Sequence, residues 1–92
     1  MTVSNPYPNP VNYSQGMVKV DLLTSCSTTA DWGVYTVAYT KIYGETINVT
    51  GPKTVIWDMH DSNGSKVATG LYFIRFKTAT GSTVDRPVLV TL

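Results

Sequence analysis

Asp58, His60 and Asp61 place two carboxylates and an imidazole within four positions. Those residue types could serve as a general acid–base pair or hold a metal through the imidazole nitrogen. The spacing argues against both. One loop with the chain's single His offers at most three ligands, and no second segment supplies a fourth. The expected role is a solvated turn in which the Asp side chains bond backbone amides. A calcium loop through Asp61 and Asn63 lacks the bidentate Glu at the required spacing. No Ser sits in a Gly-x-Ser-x-Gly elbow, and no glycine-rich phosphate loop is present. Cys26 has no partner for an internal disulfide or a zinc site and is expected in or near a loop between strands. No catalytic, cofactor-binding or metal-binding residue is assigned, and the chain is expected not to be an enzyme.

Aromatic rings are the other residues that could do chemistry, by stacking on sugars or on a protein partner. Trp32, Tyr35, Tyr39, Tyr43 and Tyr72 are the candidates. Alternation along a two-sided strand turns about half of such rings inward, and a small core needs them. Tyr35, Tyr39 and Tyr72 are expected in the core, with Trp57 between the sheets. Trp32 follows a polar stretch and is the best candidate for an exposed ring; with Tyr43 it is the candidate contact for carbohydrate or a partner. Asn12, Asn48 and Asn63 match the Asn-x-Ser/Thr glycosylation pattern, which arises readily by chance.

The elements that position these residues read as strands and turns. Met17 to Leu23 alternates, with Val18, Val20 and Leu22 on one face. Ser25 to Asp31 is polar and loop-like. A longer strand is expected from Val34 to Tyr43, then a turn at Gly44-Glu45 and a short strand around Ile47 and Val49. Gly51-Pro52 punctuates the chain before a strand from Thr54 to Asp58. Asp61-Ser62-Asn63-Gly64 has turn chemistry, because Asn and Gly accept positive φ and Asp bonds its own backbone two residues on. After Gly70, Leu71 to Lys77 alternates with Tyr72, Ile74 and Phe76 on one side, and Thr83 to Thr91 forms the last strand. Pro87 offers no ladder donor, which places it on an edge, at a strand start or at a bulge. Six or seven short strands with regular turns predict an antiparallel β-sandwich of about seven strands, immunoglobulin-like or fibronectin-like.

Ninety-two residues suit a single domain, 1–92, with residues 1–12 an extended, proline-rich lead-in from a linker. The chain is 42% apolar and 14% charged, more hydrophobic than a disordered segment. A net charge of +1 from scattered Lys and Arg is too weak a footprint for nucleic acid. No run approaches the ~20 apolar residues of a membrane helix. Met1 is not followed by an export signal, so one is expected upstream in a longer parent protein.

Tyr-Pro-Asn-Pro-Val at Tyr7 to Val11, Ile-Tyr-Gly-Glu at Ile42 to Glu45, and Trp57 to Phe76 together carry a resemblance. The chain resembles the immunoglobulin-like domain of the flagellar hook-capping protein and is similar to the C-terminal sorting domains of the type IX secretion system. Trp57, Asp58, Asp61, Asn63, Gly64, Gly70 and Tyr72 are the residues of that motif. Thr40 after Tyr39, a late Gly44, and a tail of Arg86 to Leu92 without a Lys-rich ending depart from the family pattern. The resemblance implies a bacterial, secreted or cell-surface location and an accessory module of a larger protein. Its implied partners are the parent's catalytic or adhesive domains, the secretion machinery or a polysaccharide, with no cofactor. A carbohydrate-binding module is the alternative, marked by a planar row of exposed aromatics; an enzyme fragment is the third reading.

Overall fold

The computed structural model describes residues 1–92. Eight strands run in chain order: β1 (Thr2–Val3), β2 (Val11–Asn12), β3 (Val18–Leu23), β4 (Thr28–Thr36), β5 (Lys41–Val49), β6 (Lys53–Trp57), β7 (Gly70–Thr78) and β8 (Thr83–Thr91). The only helical element is a single 3-10 turn, Tyr13–Gln15, capped by the Asn12 side chain. The strands form a three-stranded sheet, β1-β3-β6, and a five-stranded sheet, β2-β8-β7-β4-β5. Strands β3 and β6 thus face β4, β7 and β8 as strands B and E face C, F and G in an immunoglobulin-like sandwich.

Period-two patterning explains which faces meet. Val18, Val20 and Leu22 of β3 and Val55 and Trp57 of β6 turn inward from one sheet. Ala30, Trp32 and Val34, Tyr72, Ile74 and Phe76, and Val88 and Val90 turn inward from the other. All of these belong to one continuous apolar core that holds no buried charge. Burying a side chain of this size stabilises the fold by roughly 1.5–3 kcal/mol before conformational entropy is charged against it.

The proline-rich start is extended, as its composition requires, yet it is built into both sheets. Thr2 and Val3 pair antiparallel with Leu23 and Leu22, Tyr7 bridges Lys19, and Val11 and Asn12 pair parallel with Val90 and Thr91. Val3 and Val11 are buried in the core. The segment expected to be a lead-in is therefore part of the sandwich.

The middle of the chain departs most from expectation. The strand expected over Val34–Tyr43 is two strands, and the turn lies at Val37–Thr40 instead of Gly44-Glu45. Thr36 closes this turn: its N–H donates to Thr40 O, its carbonyl accepts from the Tyr39 N–H, and its Oγ1 accepts from the Thr40 N–H. Alternation of Thr, Val, Ala and Tyr runs straight through the turn and hides it. The positive φ falls on Tyr39, at 60°, a conformation uncommon for a residue with a side chain. Its ring stacks on Phe73 at 6.0 Å and 9°, which holds the residue there. Gly44 instead lies in mid-ladder opposite Gly33. The polar stretch before Trp32 is likewise strand from Thr28 onward, because its Thr residues suit a strand with one solvated face.

Candidate functional site

The loop after Trp57 holds the acid–imidazole cluster. The Asp58 carboxylate accepts from the His60 N–H at 3.1 Å, and His60 Nδ1 lies 2.9 Å from the Asp58 carbonyl. Asp61 Oδ1 accepts from the N–H groups of Asn63 and Ser65, at 2.9 and 3.0 Å, in the manner of an Asx turn. Gly64 takes the left-handed backbone the turn requires, at φ +83°. Ser62 donates through both its N–H and its hydroxyl to Ile42 O, pinning the loop to β5. From the core side, Trp57 Nε1 donates to His60 O at 3.0 Å. The carboxylates and the imidazole thus engage their own loop's backbone, and Asp58 and His60 approach only as an exposed pair at 3.5 Å. This arrangement shapes a turn.

Trp57 is enclosed between the sheets and meets Tyr72 edge-on at 5.7 Å. Tyr72 follows Gly70 into the core and donates its hydroxyl to Ala68 O at 2.6 Å. That bond to a carbonyl four residues upstream matches the tyrosine corner of immunoglobulin-like domains. Burial pushes the Tyr72 phenol pKa up.

Trp32, expected to be the exposed ring, is only 3% exposed. It sits in mid-β4, where alternation aims it inward, and packs against Phe76 and Tyr43 at 6.4 and 5.4 Å. It occupies the place of the buried strand-C Trp of immunoglobulin domains. Tyr43 faces the same interior from β5, half-buried, and donates its hydroxyl to Glu45. That bond, then burial, pushes the Tyr43 pKa up to about 12. The structure therefore does not bring Trp32 and Tyr43 to the surface as a shared platform.

Tyr35 and Tyr39, expected inside, turn outward instead, beside Phe73, which the alternation of β7 places on the outer face. Tyr39 is 60% exposed, and Tyr35 and Phe73 lie half-buried on the outer face of the five-stranded sheet, cross-strand partners in the β4–β7 register. The Arg75 guanidinium lies 5.1 Å from the Tyr35 ring and 5.6 Å from the Tyr39 ring. Asp85 holds it in a fork, Nε to Oδ1 at 2.7 Å and Nη2 to Oδ2 at 3.1 Å. The Arg75 hydrogen bond depresses the Asp85 pKa. Beside them Gly33 and Gly44 leave a floor without side chains, crossed by the Lys41 stem. The hollow there measures about 270 Å³ and is lined by Asp31, Gly33, Tyr35, Lys41, Arg75 and Lys77, among others. Outward positions on β7 were legible from its alternation; the grouping with Tyr35 and Tyr39 needed the turn at Val37–Thr40.

No protein-family model and no curated protein matches this chain. Solved structures do. One is dimeric latent PorU from Porphyromonas gingivalis, with a TM-score of 0.75 and 15% identity over 99% of this chain. Another is PorZ of the same organism, described as an essential bacterial surface component of the type-IX secretion system, with a TM-score of 0.70 and 17% identity over 99% of this chain. The chain spans 10% of the length of PorU and 11% of that of PorZ. At these identities the likeness is one of fold: an all-β, immunoglobulin-like sandwich that also occurs inside much longer bacterial proteins.

Proposed function

We propose that the chain is a non-catalytic accessory module of a larger secreted or cell-surface bacterial protein, acting through protein–protein contact, as a spacer or as a C-terminal sorting unit. One observation carries the reading: this fold recurs as about a tenth of two much longer proteins, one of them a surface component of a secretion system. The acid–imidazole loop supports it, since its carboxylates are spent on its own backbone. The test fuses the module to the C-terminus of an exported fluorescent passenger in a bacterium that has a type IX system. The passenger should become accessible to external protease with the module and stay in the periplasm without it. Equal distribution of the two fusions would overturn the sorting form of the proposal.

A second reading, carbohydrate binding, has one observation in its favour: Tyr39, Tyr35 and Phe73 reach the outer face beside a hollow. Base-sized and sugar-sized rings stack on such faces, with cationic side chains nearby. Retention on cellulose, chitin or xylan that is lost in Tyr39→Ala would support it. Equal, low retention of both proteins on all three would remove it.

A further inference from the structure

The two sheets end differently on their two sides. On the β8 side, Pro87 turns its donor-less nitrogen away from β7. Asn9 then acts as a substitute peptide group, its Nδ2 donating to Pro87 O at 3.1 Å and its Oδ1 accepting from the Leu89 N–H at 3.0 Å. Beyond it β2 pairs with Val90 and Thr91. That edge is shielded in the manner expected of a strand that must not pair with another chain.

The β5 side is covered only at its start, where Ser62 donates to Ile42 O. β5 is the terminal strand of its sheet, paired only with β4. Thr36 N–H bonds toward the β5 side and Thr29 O toward the β7 side, which fixes the alternation of β4. In the register Val34↔Tyr43, Trp32↔Glu45, Ala30↔Ile47, the residues Tyr43, Glu45 and Ile47 direct their backbone groups toward β4. Gly44, Thr46 and Asn48 direct theirs outward, and no hydrogen bond in the molecule reaches them. The run from Ile42 to Val49 holds no Pro and one charge, Glu45. Beside this edge, β5 and β6 flank an open seam of about 200 Å³, walled by Trp32, Ile47, Val55 and Ile56, with Glu45 and Lys53 also lining it. Trp32, one wall of that seam, has its Nε1 buried with no acceptor, a costly state for an indole N–H.

These observations share one solution. We propose that the β5 edge and the adjoining seam receive an extended peptide from a partner protein by strand addition. The peptide backbone pairs with Gly44, Thr46 and Asn48, and an apolar side chain of it enters the seam. An oxygen acceptor on the peptide takes the Trp32 indole N–H. Complementarity of backbone groups supplies affinity, and the seam selects the side chain. The idea rests on the protein-contact reading above and names the surface through which contact occurs. A second copy fits less well, since two-fold pairing about Thr46 would set Glu45 against Ile47 and bring the carboxylate to the apolar wall.

The probe is a library of random twelve-residue peptides displayed on phage, selected on the wild-type domain and counter-selected on Thr46→Pro. Proline at 46 removes an outward N–H that no strand of the domain uses, so the fold should survive, as circular dichroism would show; Asn48→Pro serves where it does not. Peptides that bind the wild type should lose about tenfold or more in affinity on the variant, the effect of one main-chain bond plus the proline block. Their binding should protect the Gly44, Thr46 and Asn48 amides from exchange and shift the Trp32 indole resonance while leaving that of Trp57 in place. Failure to recover any Thr46→Pro-sensitive binder overturns the proposal, as do binders whose shifts centre on Tyr39 and Phe73. A free domain that sediments as a dimer with those three amides already protected assigns the edge to a second copy and equally overturns it. Thr46→Pro in the exported passenger separates the two ideas: unchanged surface delivery with no binder leaves the module reading standing and removes the edge.

Discussion

Trp32 and Trp57 have similar burial and opposite legibility. Trp57 ends an alternating strand beside a turn-forming loop, so its inward direction follows from the sequence. Trp32 follows Thr, Thr, Ala and Asp, a run whose polarity suggests a loop, and only the pairing of Thr28–Thr36 with both β5 and β7 reveals it as central strand. Both rings should therefore behave as core. Trp57→Ala and Trp32→Ala are each expected to cost roughly 3–5 kcal/mol, enough to unfold much of a marginally stable domain. Urea midpoints equal to wild type for either variant would put that ring on the surface. The Tyr43 phenol gives a second residue-scale test. Its pKa is raised in the fold to about 12, first through the bond to Glu45, so the folded state favours the neutral phenol. The stability from this bond is complete below the unfolded value near 10 and is lost as pH rises from there toward 12. Tyr43→Phe should flatten that part of the stability–pH curve, as measured by urea midpoints at each pH, whereas an unchanged decline would assign it to other groups.

At the scale of elements, β3 and β7 were readable because each alternates beside clear turn signals, and β8 because an apolar run, Val88 to Val90, follows the last turn. The β4–β5 hairpin was not, for two physical reasons. Its turn uses Thr36 as the closing group and Tyr39 at positive φ, with no Gly, Asn or Pro to announce it. Its two glycines sit opposite each other in the ladder, where a Cβ on Gly33 would come within 3.1 Å of Tyr43 O, so they mark close packing and not a bend. The motif loop was legible in its chemistry: Asp61, Asn63 and Gly64 make the expected turn, and sequence alone left its anchors on Ile42 and on the Trp57 indole unseen. The prolines correctly announced an extended start but hid its pairing, since two-residue strands leave no periodicity. The shielding of β8 yields an element-scale prediction. Asn9→Ala exposes Pro87 O and the Leu89 N–H together, so the variant should self-associate more than wild type in sedimentation at matched concentration. A variant that stays as monomeric as wild type would mean that β2 alone guards this edge.

For the molecule as a whole, the open flank at β5 and the closed flank at β8 make the sandwich one-sided, and the parallel β2–β8 pair adds a mechanical property. Met1 lies in a hollow with Thr78, Thr80 and Ser82, at the end where β8 begins, whereas Leu92 follows Thr91 at the end where β8 finishes. Nine strand residues, about 30 Å at the rise of a β-strand, separate those poles on a body 38 Å long. Tension applied through the two chain ends would draw β2 and β8 in opposite directions along their common axis. Their ladder bonds and both hydrogen bonds of the Asn9 amide would then be loaded side by side, in shear, and would have to break together instead of one after another. A domain strung this way between neighbours transmits pull along its length like a link in a chain.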